Sequence, residues 1–224
     1  EEFCPNWLIS SLPFIVPRTR ALLRIGPHNI DILSIIFGCL LGDAYGERLK
    51  LGTRIIIQQE DSNVEYLMWF HKLLLSLGYC KDERPKMETR VDKYGRKRFF
   101  YRLRTFSFSS FNWIHESFYP NGIKIVPRNI ADYLTPLALA IWIMDDATVH
   151  SGSMRWCTHG FTKADVEFLG QVLWIKYGLV TSLHCHNKAK DQFYLYVKAE
   201  SMPLLSSIVK PYMHHSMHYK LNGY

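Results

Sequence analysis

The sequence has few cysteines, and none are spaced as a metal-binding pair. Its five cysteines, at positions 4, 39, 80, 157 and 185, are scattered and contain no Cys-x-x-Cys. This pattern argues against a zinc module and favours a reducing compartment. No stretch approaches 18 uninterrupted apolar residues, so we expect no membrane span. With 48% hydrophobic and 21% charged residues, the 224-residue chain is typical of a globular protein.

Acidic residues are in short supply relative to basic ones. The chain has 20 Asp and Glu against 27 Lys and Arg, a net charge of +7, and residues 81–104 alone hold ten basic and four acidic side chains. A concentrated basic patch favours a polyanionic partner, most often nucleic acid. A solvated hairpin is the alternative interpretation of the same charges.

The chain contains a two-fold internal repeat. An apolar helix ends on an aspartate in "FGCLLGDAYG" and again in "LTPLALAIWIMDDA", so that Asp43 and Asp146 lie 103 positions apart. Gly78 and Gly178 lie 100 positions apart. Each half is predicted to contain a helix, a strand, a helix, two strands and a helix. The named helices fall at about 29–42, 63–79, 134–147, 163–179 and 200–209, and the strands at 53–59, 86–91, 97–107, 154–159, 181–188 and 191–198.

Alternation along the predicted strands gives each half one polar and one apolar sheet face. The polar faces hold Lys86, Glu88, Arg90, Asp92, Arg98, Arg102 and Arg104 in the first half, and His184, His186, Lys188, Gln192, Tyr194, Tyr196 and Lys198 in the second. The residues predicted to face the core are Met87, Val91, Leu103, Leu183, Phe193, Leu195 and Val197. Two-stranded ribbons with long polar side chains fit the DNA major groove. A solvated outer face is the alternative.

The first apolar helix contains two glycines, although glycine is unfavourable within a helix. Gly38 and Gly42 are four residues apart and share one helix face, where they would allow another backbone to approach closely. If the two repeats pack through these helices, Asp43 and Asp146 would lie side by side and repel each other. Mg²⁺, which binds carboxylates together with water and phosphate oxygens, would relieve that repulsion. A polar turn after a core helix is the simpler alternative for either motif alone.

Both motifs resemble those of the single-chain LAGLIDADG homing endonucleases, which are encoded in organellar introns. The resemblance runs from about residue 29 to the C-terminus. It implies an α+β fold with two pseudo-symmetric αββαββα halves, saddle-shaped antiparallel sheets for DNA and motif helices at the interface. The implied division is an N-terminal extension over 1–28, a first half over 29–127 and a second half over 128–224.

The resemblance also implies an active site. Asp43 and Asp146 would be catalytic metal ligands, with Gly42 and Asp145 as neighbouring ligand positions. The segments "IKIVPRNI" and "MHYKL" match one branch of the family in which each carries an active-site lysine, and they imply catalytic roles for Lys124 and Lys220. The second motif departs from the pattern, because Ile141 and Asp145 replace the two glycines and leave a choice between Asp145 and Asp146. Further expected DNA contacts are Arg54, Gln58, Arg155 and His159.

The resulting hypothesis is a monomeric, site-specific endonuclease that cleaves both strands of a long, asymmetric DNA target. Mg²⁺ is the expected cofactor; Mn²⁺ is expected to replace it, and Ca²⁺ is expected to bind without supporting cleavage. The alternatives are an RNA-binding intron maturase and a catalytically inactive DNA-binding protein. The expected partner is double-stranded DNA, with intron RNA as the alternative and no membrane, in a mitochondrion or another organelle.

Overall fold

The computed structural model describes residues 19–224, so most of the predicted N-terminal extension, residues 1–18, lies outside the described part. The chain divides into two compact units. One contains 19–27 and Asp43–His115, and the other contains His28–Gly42 and Glu116–Tyr224. The limits of these compact units differ from those of the two repeat halves. The boundary between residues 127 and 128 stays a prediction.

The first unit is built on a four-stranded antiparallel sheet. Its strands are β1 (Tyr45–Arg48), β2 (Thr53–Glu60), β3 (Met87–Val91) and β4 (Lys97–Arg104), in the order β1-β2-β4-β3. Helix α2 (Val64–Ser76) packs against β2 and β4, and α3 (Asn112–Phe118) begins in this unit. The core contains Ile55, Ile57, Leu67, Phe70, Phe108 and Phe111.

The second unit holds both motif helices and the other sheet. The helices are α1 (Ile30–Leu41), α4 (Ile130–Tyr133), α5 (Pro136–Asp146), α6 (Lys163–Tyr177) and α7 (Met202–Val209). The strands are β5 (Ala147–His150), β6 (Ser153–Cys157), β7 (Thr181–Asn187) and β8 (Gln192–Val197), in the order β5-β6-β8-β7. Trp142 on α5 stacks on Trp156 of β6 with ring centroids 4.4 Å apart, which fixes the motif helix against the sheet.

The predicted α+β class is confirmed, and the two sheets have the same strand order. The sequence analysis does not predict β1 and β5, the strands that immediately follow the two motif helices. Each has only four residues, "YGER" and "ATVH", so it shows too few alternations to be recognised and depends on pairing with its neighbour. A glycine with positive φ follows each of the helices α2 and α6: Gly78, at 77°, comes directly after the C-cap of α2, and Gly178, at 69°, is the C-cap of α6.

The prediction that Met87 and Val91 join the core is wrong. Their relative exposures are 53% and 65%, because β3 is an edge strand and α2 packs against the inner strands β2 and β4. Leu103, Leu195 and Val197 are buried as predicted, whereas Leu183 and Phe193 are half-buried.

Within residues 19–224, no helix combines the length and hydropathy that a membrane span needs.

Candidate nucleic-acid and metal sites

Each motif helix begins with a side-chain cap and ends beside an aspartate. The side chain of Asn29 accepts a hydrogen bond from the backbone of Ile32 at the start of α1, and Thr135 caps α5 in the same way. Asp43 follows Gly42, the C-terminal cap of α1, whereas Asp146 is the last residue of α5. A carboxylate at the negative end of a helix dipole is unfavourable. Something other than helix stability therefore accounts for these aspartates.

Gly38 of α1 and Gly42, the C-terminal cap of this helix, both lie against α5. A Cβ atom built on Gly38 would lie 2.5 Å from the carbonyl oxygen of Ala138, and one built on Gly42 would lie 2.6 Å from the Cβ of Asp145. Both distances are shorter than real Cβ contacts, and at Gly38 the obstacle is backbone. The expectation that these glycines permit close helix packing is confirmed.

A lysine reaches the C-terminal end of each motif helix. Lys124 Nζ donates to the carbonyl oxygen of Gly42 at 3.1 Å. Lys220 Nζ donates to the carbonyl oxygens of Met144 and of Ile143, the latter at 3.2 Å. Lys220 is buried, and Lys124 also lies 5.7 Å from the ring centroid of Phe161. Each lysine thus places a positive charge at the negative end of a helix dipole. The helix end that it contacts lies within two residues of an aspartate in the chain.

Asp43 has a neighbour that the sequence analysis missed. The amide nitrogen of Gln59 lies 3.3 Å from Asp43 Oδ2 and donates to it, and the Gln59 side-chain oxygen accepts from Asn63 at 3.0 Å. Gln59 is buried, whereas Asp43 is exposed. The alternation in "TRIIIQQE" carries the signal, because Gln59 has the same parity as the buried Ile55 and Ile57. The neighbouring Gln58 faces the opposite side of the sheet.

Asp145 and Asp146 occupy different environments. Asp145 is buried and packs against Gly42, whereas Asp146 is half-buried at the helix end. The pKa of the Cys39 thiol is raised mainly by burial and further by the charge of Asp145, while Lys124 lowers it. Asp145 therefore lies within the contact between α1 and α5, and Asp146 is the more accessible carboxylate.

The outer face of the first sheet is a network of guanidinium and carboxylate groups. Arg102 donates to the side-chain oxygen of Gln58 at 3.0 Å and pairs with Glu88 at 3.1 Å. Phe100 on this face is buried beneath Arg90 and Arg102, whose guanidinium carbons lie 5.7 and 5.2 Å from its ring centroid. The other predicted contact residues here are Arg54, Arg98 and Arg104, each beside a glutamate, and the exposed Lys86, which pairs with Glu83.

The outer face of the second sheet carries aromatic and imidazole rings instead. Arg155 donates to the hydroxyl of Tyr196 at 3.0 Å and lies 4.4 Å from the ring centroid of Tyr194. The rings of His159 and His186 are stacked with centroids 4.3 Å apart. Burial lowers the pKa of His159, and the charges of His186 and Arg155 lower it further. This surface therefore presents aromatic and imidazole rings around Arg155, whereas the outer face of the first sheet presents several guanidinium and carboxylate groups.

The remaining predicted contacts in this half lie along β7 and β8. His184 packs against Tyr196, with ring centroids 4.2 Å apart. Gln192 is half-buried at the start of β8, and Lys198 is exposed just beyond its end. A bulge between Cys185 and Asn187 breaks the alternation, and Lys188 lies exposed in the turn after β7.

The sequence and the structure are both similar to known proteins. The model of the LAGLIDADG DNA endonuclease family matches residues 33–205. Two proteins named cytochrome b mRNA maturase bI2 are among the relatives. The one from Saccharomyces cerevisiae is 43% identical over 90% of this chain and 49% of its own length. The one from Debaryomyces hansenii is 40% identical over 99% of this chain and 85% of its own length. The chain thus spans about half the length of the first relative.

Solved structures share the fold. The homing endonuclease I-WcaI bound to its DNA recognition sequence has a TM-score of 0.75 and 25% identity, covering 89% of this chain and 96% of that one. The structure of I-DmoI in complex with DNA and Mn has a TM-score of 0.52 and 14% identity, covering 84% and 99% of the two chains. At 14% identity, the second match shows similarity of fold only.

Proposed function

The chain belongs to the LAGLIDADG DNA endonuclease family, and we propose that it is a monomeric, Mg²⁺-dependent endonuclease that cleaves both strands of one long, asymmetric DNA site. The observation that carries the proposal is a lysine side chain hydrogen-bonded to a backbone carbonyl at the C-terminal end of each motif helix, within two residues of an aspartate in the chain. Lys124 bonds to Gly42, next to Asp43, and Lys220 bonds to Met144, two residues before Asp146. A protein that had lost catalysis would have no need of both sets.

The donor atoms at the helix ends suit a hard divalent cation. Asp43 and Asp146 offer carboxylate oxygens, which Mg²⁺ prefers. The residues that we assign to these sites offer only oxygen ligands and no sulfur. In this proposal Asp43 and Asp146 are the metal ligands at their respective helix ends, with Asp145 as the weaker alternative to Asp146 and Gly42 as a backbone neighbour of Asp43. When bound, the metal supplies Lewis-acid chemistry for phosphodiester hydrolysis, and Mn²⁺ would support the same reaction.

The protein side chains position the reacting groups. Gln59 holds one oxygen of Asp43 in place and so orients this carboxylate for a cation. Lys124 and Lys220, fixed by helix carbonyls, would orient the attacking water and offset the charge that develops on the scissile phosphate, one lysine for each strand. Because these groups are already hydrogen-bonded in place, little reorganisation is required when substrate binds.

The outer faces of the two sheets would bind the two halves of the DNA site. The first face offers guanidinium donors that suit guanine edges and phosphates, whereas the second offers tyrosine and histidine rings. Gln58 and His159 would contact central bases. The other proposed contacts are Arg54, Lys86, Glu88, Arg90, Arg98, Arg102 and Arg104 in one half, and Arg155, His184, His186, Lys188, Gln192, Tyr194, Tyr196 and Lys198 in the other. Such different chemistry favours an asymmetric target.

A maturase function is the second candidate. It is supported by the names of the two fungal relatives, both cytochrome b mRNA maturases. Their names also support action in a mitochondrion or another organelle. In this alternative the chain binds intron RNA, and the metal site is dispensable.

One experiment separates the candidates. The purified protein is incubated with a randomised library of duplex DNA in Mg²⁺, in Ca²⁺ and in EDTA, and cleaved ends are sequenced. In parallel, splicing of cytochrome b intron RNA is measured with and without the protein. We expect a single asymmetric site to be cut in Mg²⁺ alone. Accelerated splicing with no cleavage would establish the maturase alternative and overturn our proposal.

A further inference from the structure

A cavity of about 1030 Å³ lies in the first unit, beside the outer face of β3 and β4. Its lining includes Arg24, Lys81, Arg84, Arg104 and Phe106, and we call it the Arg24 cavity. None of the predicted metal or catalytic residues line it. The cavity is therefore separate from the sites at the ends of the motif helices.

Arg24 is a buried cation with incomplete hydrogen bonding. Only 8% of its surface is exposed, and its guanidinium carbon lies 4.5 Å from the ring centroid of Phe106. One terminal nitrogen donates to the carbonyl oxygen of Ser107 at 3.3 Å, while Nε has no hydrogen-bond partner within residues 19–224. No carboxylate in that part of the chain pairs with Arg24. A buried charge in this situation is costly, and burial accordingly lowers the pKa of Arg24.

The rest of the lining adds positive charge. The lining contains seven basic and three acidic side chains. Glu83 is already paired with Lys86, and Glu88 is already paired with both Arg102 and Arg104. Among the described residues, Arg24, Lys81 and Arg84 pair with no carboxylate, and Asp82 is the remaining acid. The lining thus has four more basic than acidic side chains, and one of the basic ones, Arg54, is paired with Glu47 outside the lining. An anion would balance the remaining three positive charges.

The position of Arg24 is set by the fold. The hydroxyl groups of Ser109 and Ser110 approach its carbonyl oxygen to 3.4 and 3.5 Å, and its backbone nitrogen bonds to Ala21. These contacts hold the segment 19–27 against the rest of the first unit, and the guanidinium lines the cavity before any ligand binds. A planar guanidinium with available N–H groups matches two oxygens of a phosphate.

We propose that the Arg24 cavity binds one backbone phosphate of the nucleic acid that lies along the β3–β4 face. The cavity shares Arg102, Arg104 and Glu88 with that face, so a strand in contact with these residues is within reach of Arg24. The inference rests on the proposed nucleic-acid binding and adds a phosphate contact from the N-terminal segment. The phosphodiester belongs to DNA if the chain is an endonuclease and to RNA if it is a maturase.

The test is the salt dependence of binding. A fluorescent random duplex of about 30 bp, long enough to offer several phosphate contacts, and a structured intron RNA of similar length are titrated with the protein in EDTA at several salt concentrations. Arg24→Gln should reduce the slope of log K against log[salt] by about 0.9 with the duplex if DNA is the ligand, and should reduce the slope with the intron RNA if RNA is the ligand. We expect affinity to fall several-fold in that arm. Arg20→Gln is the matched control, because Arg20 is exposed, lies four residues earlier and is outside the lining.

Two further variants keep the test decisive. Lys81→Gln removes a second cavity charge without touching the attachment of segment 19–27, and it should also reduce the slope. Arg24→Lys keeps the charge and should retain the parent slope. If the parent has a steep slope and neither Arg24→Gln nor Lys81→Gln changes it, the phosphate site is wrong and nucleic-acid binding stands. If the parent binds neither probe, both the site and the proposed function are wrong.

Discussion

Lys124 donates a hydrogen bond from Nζ to the carbonyl oxygen of Gly42 at 3.1 Å. Lys220 makes the same kind of contact with Met144 at the end of the other motif helix. Carbonyl oxygens in the last turn of a helix lack intrahelical partners, and a cation there interacts favourably with the helix dipole. The two lysines therefore stabilise the helix ends where the aspartates would otherwise be unfavourable.

Replacing either lysine should uncouple cleavage of the two strands. We expect Lys124→Met and Lys220→Met to convert supercoiled target plasmid to nicked circles rather than to linear DNA. Lys220→Met should also lower the free energy of unfolding by about 1–3 kcal/mol, because buried carbonyl oxygens lose their donor. Lys72→Met, at an exposed position on α2, is the control. Full linearisation by Lys124→Met would show that this lysine does not act in catalysis.

The aspartates can be separated by amide substitution. Asp43→Asn and Asp146→Asn should each abolish double-strand cleavage and leave the dissociation constant for DNA in Ca²⁺ within about threefold, since phosphate contacts dominate affinity. Asp145→Asn should retain most activity, because Asp145 packs against Gly42 and is less accessible than Asp146. Asp31→Asn, in the first turn of α1, serves as a control. Activity in Asp146→Asn with none in Asp145→Asn would reassign the ligand to Asp145.

Charge reversal of Arg102 tests the outer face of the first sheet. Arg102 contacts Gln58 and Glu88, so Arg102→Glu would place two carboxylates together as well as remove a positive charge. We expect DNA affinity to fall at least about tenfold at low salt, measured by anisotropy, with a shallower salt dependence. Lys72→Glu makes the same charge change on α2 and should have little effect. Equal losses in the two variants would argue against specific contact through this face.

Gly38→Ala tests the packing of the motif helices. The added methyl group would lie 2.5 Å from the backbone oxygen of Ala138, so α1 and α5 must move apart. We expect a loss of about 1–3 kcal/mol in the free energy of unfolding despite the better helix propensity of alanine. Gly160→Ala is the matched control, because a methyl group there would meet no atom within 4 Å beyond its chain neighbours and its φ is ordinary. A melting temperature for Gly38→Ala equal to that of the parent would contradict the close packing.

His28 gives a pH dependence of stability. Burial lowers its pKa to about 4, so below its ordinary value of 6.5 the unfolded chain binds a proton that the folded chain does not. Stability should therefore fall as pH drops from about 6.5 towards 4. His28→Gln should remove about 1–2 kcal/mol of that loss at pH 4, a figure reduced for partial exposure. Thermal melts at intervals of pH measure it, with His150→Gln, at an exposed strand residue, as the control. Parallel pH profiles for the parent and His28→Gln would refute the assignment.

The sequence alone determined the repeat, the family resemblance and most of the longer elements. The spacing of Asp43 and Asp146 and the apolar periodicity around them are properties of the linear chain, because helical and strand periods are local. The role of Gly38 also followed from its spacing, since a missing side chain on a helix face is meaningful only where another backbone approaches.

Only the tertiary structure decided which neighbours each side chain has. Met87 and Val91 alternate like core residues, yet they are exposed because their strand lies at the sheet edge. Gln59 lies beside Asp43, whereas Gln58 lies beside Arg102. Consecutive residues of β2 face opposite sides of the sheet, and the pairing of β2 with β4 brings Arg102 opposite Gln58. Arg24 acquires its environment from Phe106 and Ser107, the latter 83 positions away in the chain. Contacts between distant residues depend on strand register and packing, which no local pattern specifies.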